Sequence, residues 1–135
     1  MVGVADGDTL TVSDASQKQH RVRLSGIDAP ERMQRFGGVS RRSLSELTYR
    51  KAVVVDYYKV DVYGRLVGKV LLDGRDINLE QLRRGMAWHR VGDVQELTSG
   101  ERRAYEASEA EARSAARGLW KEKATPPWEF RKQLH

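Results

Sequence analysis

The chain has 135 residues, with 24 Lys and Arg against 19 Asp and Glu, a formal net charge of +5, 39% apolar residues and no cysteine. That length fits one domain and not a multidomain enzyme, and the apolar share excludes wholesale disorder. The absence of cysteine excludes disulfides, thiolate zinc sites and cysteine nucleophiles, and the longest apolar runs, Val53-Val54-Val55 and Val70-Leu71-Leu72, fall far short of the ~20 residues of a membrane helix.

The chain opens at Met1-Val2-Gly3-Val4, in what reads as mid-strand, with no signal-peptide pattern. A trimmed chain that has lost an export signal is compatible with this start. Leu10-Thr11-Val12 and Arg21-Val22-Arg23-Leu24 alternate polar and apolar residues at strand period. The polar stretch 13–19 between them reads as a hairpin loop. A first helix is predicted over 40–50, capped by Ser40, with Leu44, Leu47 and Thr48 on one face. Residues 53–57 and 66–72 read as strands, and Asp73-Gly74 as a tight turn.

Asn78, with Gln81 three residues on, resembles a capping box over a short helix at 79–84 that Gly85 stops. The third predicted helix, 101–117, is rich in Ala and Glu and closed by Gly118. The domain is expected to span 1–120. The tail 121–135, with Pro126-Pro127-Trp128, reads as extended, pinned by its tryptophan and packed on or trailing from the domain. Strands with helices interleaved and appended predict an α+β fold. About five short strands in a small basic domain suit a barrel of the oligonucleotide-binding type.

A net charge of +5 fits a polyanionic partner such as nucleic acid, and fits an ordinary small protein as well, because a total is not a patch. Three short clusters say more. They are Asp6-Gly7-Asp8-Thr9, the run from Arg23 through Ile27-Asp28-Ala29-Pro30-Glu31, and Asp61-Val62-Tyr63-Gly64-Arg65. Taken singly, each reads as a turn, a strand exit or a hairpin corner. Taken together, in this order and with Ile77-Asn78, Leu82, Gly85 and Gly118-Leu119-Trp120 behind them, they resemble the staphylococcal nuclease-like (thermonuclease) family over roughly residues 2–120.

The resemblance implies a five-stranded OB-fold barrel with three α-helices. It implies a calcium-dependent phosphodiesterase acting on DNA, RNA or both, which breaks the 5′-O–P bond and leaves 3′-phosphates. Asp8 and Asp28 match the metal-binding carboxylates, and Ala29 stands where the family gives a backbone carbonyl to the metal. Arg23 and Arg65 match the phosphate-binding arginines and Glu31 the general base. Asp6 and Thr9 match the edge of the metal site. A secreted or periplasmic location is what the resemblance implies, and a monomer is the default expectation.

Chemistry supports these roles independently. A phosphodiester is an anion, so an attacking hydroxide meets like charge. Guanidinium groups fork phosphate oxygens and stay charged at any working pH. A metal shares that load and can hold the attacking water. Two carboxylates and a carbonyl offer only oxygen, which suits hard cations, Mg²⁺ as well as Ca²⁺. Pro30 stiffens the segment between Asp28 and Glu31, so one carboxyl can face the metal and the other the water.

The sequence also departs from the family. The stretch Ala87-Trp88-His89-Arg90-Val91-Gly92-Asp93-Val94 lacks the tyrosine that many members carry there. Trp88 and His89 are candidate base-stacking residues in its place, although a tryptophan more often packs in the core. Arg32, Arg35, Arg41 and Arg42 form a candidate phosphate track, or an ordinary solvated surface. None of His20, His89 and His135 has metal-ligand spacing with another. The rival class is a catalytically silent OB-fold module that binds nucleic acid or protein. Such a module has little need for Asp8, Arg23, Asp28, Glu31 and Arg65 together.

Overall fold

The structure, a computed structural model, describes residues 1–90, 97–122 and 124–133. Residues 91–94 of the stretch without tyrosine, and His135, lie outside the described residues. Strands β1 (Gly3–Asp6), β2 (Thr9–Ser13) and β3 (Gln19–Leu24) form an antiparallel meander. After the short β4 (Ile27–Asp28) and helix α1 (Gly37–Thr48), the hairpin of β5 (Val54–Val60) and β6 (Leu66–Leu72) returns to lay β6 parallel to β3. Then follow β7 (Arg75–Asp76), α2 (Ile77–Arg83), β8 (Trp88–His89), α3 (Ser99–Ser114), a 3₁₀ turn (Gly118–Lys121) and α4 (Pro127–Gln133).

The main sheet runs β1-β2-β3-β6-β5, with β7 on β6, and β4 pairs with β8 in a separate ribbon. The architecture is α+β, as the sequence predicts. The closed five-stranded barrel with three helices is corrected. Among the described residues there are eight strands and four α-helices, and β1 and β5 do not pair. A helix meets the β1 edge instead of a strand: Arg41 on α1 donates its Nε to the Val4 carbonyl at 3.1 Å. The opposite edge strand, β5, keeps Val54, Tyr57 and Val60 exposed.

Leu10, Val22 and Leu24 from the meander meet Leu44 of α1, Val70 of β6 and Ile77 and Leu82 of α2 in one core. Burying each such side chain contributes about 1.5–3 kcal/mol. Two buried polar residues stitch the layers. Asn78 accepts from Val70 N–H at 3.1 Å and donates to the carbonyls of Ser25 and Gly68 at 3.0 and 3.1 Å. Gln81 donates to the Gly7 carbonyl at 2.9 Å and accepts from Ser43 Oγ at 2.7 Å.

These bonds explain why the predicted capping box at Asn78 and Gln81 does not exist. Both side chains are spent on tertiary contacts, and Asp76 caps α2 by accepting from Leu79 N–H at 3.1 Å. The capping box of this chain joins Thr98 and Glu101 at the start of α3. Helix α1 starts three residues before Ser40, whose hydroxyl is turned inward to the Met86 carbonyl at 2.7 Å. Helix α3 stops at Ser114, shortly before Ala116 takes a left-handed φ of 53°. The tail is a helix where an extended segment was expected. Pro127 opens α4, a position where its missing N–H costs nothing.

Candidate active site

The Asp6–Thr9 turn between β1 and β2 is held from three sides. Asp6 Oδ1 accepts from Asp8 N–H at 3.1 Å, and Gln81 takes the Gly7 carbonyl. A Cβ on Gly7 would lie 1.8 Å from Ser40 Oγ and 2.8 Å from Ala29 Cβ, so only glycine allows this approach. The Asp8 carboxylate is thereby driven inward. Its Oδ1 accepts from Thr9 Oγ1 at 2.9 Å and its Oδ2 from Ala29 N–H at 2.8 Å. Burial pushes the Asp8 carboxyl up, but the Arg23 guanidinium and these hydrogen bonds outweigh it and hold Asp8 below the usual range. Asp6 has the opposite fate. Burial, then the neighbouring Asp8 and Glu31 charges, push it up to about 7.

Pairing in the sheet brings the arginines to the same place. Arg23 lies opposite Thr9 in the β2–β3 register. Arg65 ends the β5–β6 turn, which Asp61 organises. Asp61 Oδ1 accepts from the N–H groups of Tyr63 and Arg65, each at 2.9 Å, and its Oδ2 accepts from Arg65 Nε at 2.8 Å. The guanidinium lies 5.4 Å from the Tyr63 ring centroid. With Nε spent on Asp61, the Nη groups remain for a ligand.

Asp28, on β4, is only 2% exposed. Its Oδ2 accepts from Arg90 Nη1 and Arg131 Nη2, both at 2.8 Å. Arg131 also reaches Glu31, through Nη1 to Oε1. Glu31 sits in a tight turn in which its N–H donates to Gln34 Oε1 at 3.0 Å and its carbonyl accepts from Gln34 N–H at 2.9 Å. Asp6, Asp8, Thr9, Arg23, Asp28, Glu31 and Arg65 all line one cleft of about 350 Å³, joined there by Tyr63, Arg90 and Arg131. Four carboxyls thus face four guanidinium groups.

The family described as "Staphylococcal nuclease homologue" matches residues 21–122. The chain belongs to that family. It is 39% identical over 137 residues to an uncharacterized endonuclease of Escherichia coli O157:H7, covering 97% of this chain and 82% of that one. It is 36% identical over 143 residues to a micrococcal nuclease of Shigella flexneri, covering 98% of this chain and 79% of that one. A probable staphylococcal-like nuclease of Oryza sativa is 35% identical over 118 residues, covering 85% of this chain and 33% of that one.

Several residues singled out in the sequence of this family member stand away from the cleft. Trp88 is 3% exposed and packs edge-on against Trp120 and Trp128, with ring centroids 5.5 and 6.0 Å away, so it presents no face to a base. His89 turns to α3. Its ring stands edge-on to Tyr105, its Nε2 is buried without a hydrogen-bond partner, and burial lowers its pKa. Arg35 pairs with Glu122 at 2.8 Å on the surface. The candidate arginine track is not one track. Arg35 faces the tail, Arg41 is spent on β1, and Arg42 lines a separate groove with Arg84 and Arg117.

The sequence reading missed Arg90, Arg131 and Tyr63. Tyr63 lies inside the Asp61–Arg65 cluster. Trp128 and Arg131, three residues apart and so on one face of a helix, were the available signal for a docked tail.

The oxygen-only donors of Asp8, Asp28 and the Ala29 carbonyl fit a hard divalent cation. Asp6 is raised by burial first and then by the Asp8 and Glu31 charges, so more than one carboxyl stands at that end of the cleft. Among the described residues no three Asp, Glu, His or Cys side chains form a ready ligand cluster. A cation here would therefore draw on two carboxylates, a carbonyl and water. No helix among the described residues is long and apolar enough to cross a membrane.

Proposed function

We propose that this chain is a calcium-dependent phosphodiesterase that hydrolyses DNA, RNA or both. It cleaves the 5′-O–P bond and leaves a 3′-phosphate and a 5′-hydroxyl. One observation carries the reading: two buried aspartates, a glutamate and arginines from distant parts of a staphylococcal nuclease homologue line a single cleft. The nuclease names of its relatives support it.

Asp8, Asp28 and the Ala29 carbonyl would hold the cation, with Asp6 and Thr9 at the edge of its site. When bound, Ca²⁺, or Mg²⁺ in its place, supplies Lewis acidity and positive charge beside the phosphoryl oxygens. Arg23 and Arg65 fork the phosphate through charge-assisted hydrogen bonds that strengthen as negative charge builds on its equatorial oxygens. Glu31 accepts a proton from the attacking water through its carboxylate oxygen. The water oxygen bonds to phosphorus, the P–O5′ bond breaks with its electron pair going to the 5′-oxygen, and that oxygen takes a proton from solvent water to leave as a hydroxyl. Four carboxyls against four guanidinium groups leave the cleft close to neutral. Two added charges make it attractive to a phosphodiester.

The test is cleavage of single-stranded DNA with Ca²⁺ or with chelator, followed by end-group analysis. Cutting only with Ca²⁺, lost in Glu31→Gln, and 5′-hydroxyl ends are expected. Equal cutting in chelator overturns the cation's role. Binding without any cutting points instead to a silent nucleic-acid module.

A further inference from the structure

We propose that Arg131 is an intramolecular competitor of the divalent cation: its guanidinium holds Asp28 and Glu31, and the cation enters as it leaves. This rests on the nuclease reading and adds a control to the same site.

The geometry is that of a fork over two functional carboxyls. Arg131 Nη2 donates to Asp28 Oδ2 at 2.8 Å, Nη1 lies 3.4 Å from Oδ1, and Nη1 also donates to Glu31 Oε1. One side chain thus occupies the proposed cation ligand and the proposed base at once. The hydrogen bond to Asp28 raises the Arg131 pKa further above its ordinary value, so the group keeps its charge.

Asp28 does not need Arg131 for neutrality. Arg90 Nη1 already donates to the same Oδ2 at 2.8 Å. A buried carboxylate with two guanidinium partners can release one and stay paired. Arg90 is fixed by a second contact, over the Trp128 ring at 5.5 Å. The contacts that Arg131 gives up, to Asp28 and Glu31, are to carboxyls whose charge an entering cation would neutralise.

The rest of α4 can stay docked while it does. Pro127 is buried, Trp128 packs on Trp88, and the Gln34 side chain donates to the Thr125 carbonyl. The Arg131 side chain is 41% exposed, so a rotamer change carries its guanidinium into solvent without undocking the helix. A site open only part of the time binds with its affinity reduced by that fraction.

The experiment is calorimetric titration of CaCl₂ into the full chain, as wild type, Arg131→Gln, Arg131→Lys and Arg103→Gln. Arg103 is exposed on α3, so its variant matches the charge change away from the cleft. Arg131→Gln should bind Ca²⁺ about tenfold tighter than wild type, Arg131→Lys in between, and Arg103→Gln within about twofold of wild type. Tryptophan fluorescence of each variant reports that Trp128 remains docked. Equal or weaker Ca²⁺ binding by Arg131→Gln overturns the competition and leaves the nuclease reading standing. A like gain in Arg103→Gln reduces the effect to net charge and overturns it too. Absence of Ca²⁺ binding in every form overturns the cation reading itself, and the competition with it.

Discussion

The Ala29 N–H donates to Asp8 Oδ2 at 2.8 Å, joining the β1–β2 turn to the exit of β4 across a buried contact. One carboxylate therefore has a structural duty beside its proposed chemical one, and two substitutions separate them. Asp8→Ala leaves the buried amide without its acceptor and should cost about 1–3 kcal/mol in urea unfolding, with activity lost. Asp8→Asn keeps an acceptor oxygen and removes the charge. It should unfold within about 1 kcal/mol of wild type and still fail to cleave. An Asn variant that cuts at the wild-type rate would show that the Asp8 charge has no chemical role.

Asp61 turns Arg65 toward the cleft by binding its Nε and its N–H, at 2.8 and 2.9 Å. Arg65→Ala should lower kcat by about 10²–10³ if the guanidinium stabilises the transition state. Arg65→Lys should not restore it, since an ammonium cannot fork a phosphate. Asp61→Ala leaves the guanidinium in place but frees it to wander, and a loss of roughly tenfold in kcat is expected. A steady-state comparison of the three with an oligonucleotide substrate decides the matter. Unchanged kcat in Arg65→Ala would remove that residue from the mechanism.

The sequence reveals the site better than it reveals what covers it. Asp8, Arg23, Asp28, Glu31 and Arg65 stand in three short clusters that say little singly and resemble one family when taken together in order, and turn chemistry and strand register carry all five into one cleft. Arg90 and Arg131 sit in no such motif, and they reach Asp28 from 62 and 103 residues away. Trp88 packs in the interior, as a tryptophan more often does, but its local sequence does not name its partners Trp120 and Trp128, which come from the far end of the chain. Asn78 and Gln81 misled for a related reason. A polar pair at capping spacing looks the same whether it caps a helix or bridges a core.

Gly37 is a positioning residue for Glu31 that nothing in its local sequence announces. A Cβ there would lie 2.1 Å from the Glu31 carbonyl and 2.8 Å from that of Arg32, and backbone cannot yield as a side-chain tip can. Gly37→Ala should therefore shift the Glu31 turn, costing about 1–3 kcal/mol and lowering kcat. The adjacent Gly38 has open space, and a Cβ there would meet nothing within 4 Å. Gly38→Ala should keep full activity and gain up to about 1 kcal/mol, because alanine is the better helix former. Urea unfolding and kcat measured on both variants test the contrast. Equal behaviour of the pair would show that the loop adapts.

The Tyr105 hydroxyl donates to Asp76 Oδ2 at 2.7 Å, beneath the cap of α2. Burial pushes the Asp76 carboxyl above its ordinary value, and the bonds from Tyr105 and Leu79 and the Lys69 charge pull it only part of the way back. A folded-state pKa above the unfolded one means that the fold prefers the protonated acid. That preference contributes stability below the unfolded pKa and is lost as pH rises through the folded one. Tyr105→Phe removes a donor to the ionised form, so it raises the Asp76 pKa further. The variant's deficit should be small at about pH 4, where more of Asp76 carries its proton, and larger at about pH 7. At neutral pH a lost bond to a carboxylate corresponds to about 1.5–3 kcal/mol. Urea unfolding of wild type and variant at both pH values measures the two gaps. Gaps of equal size would show that the Tyr105 bond does not depend on the charge of Asp76.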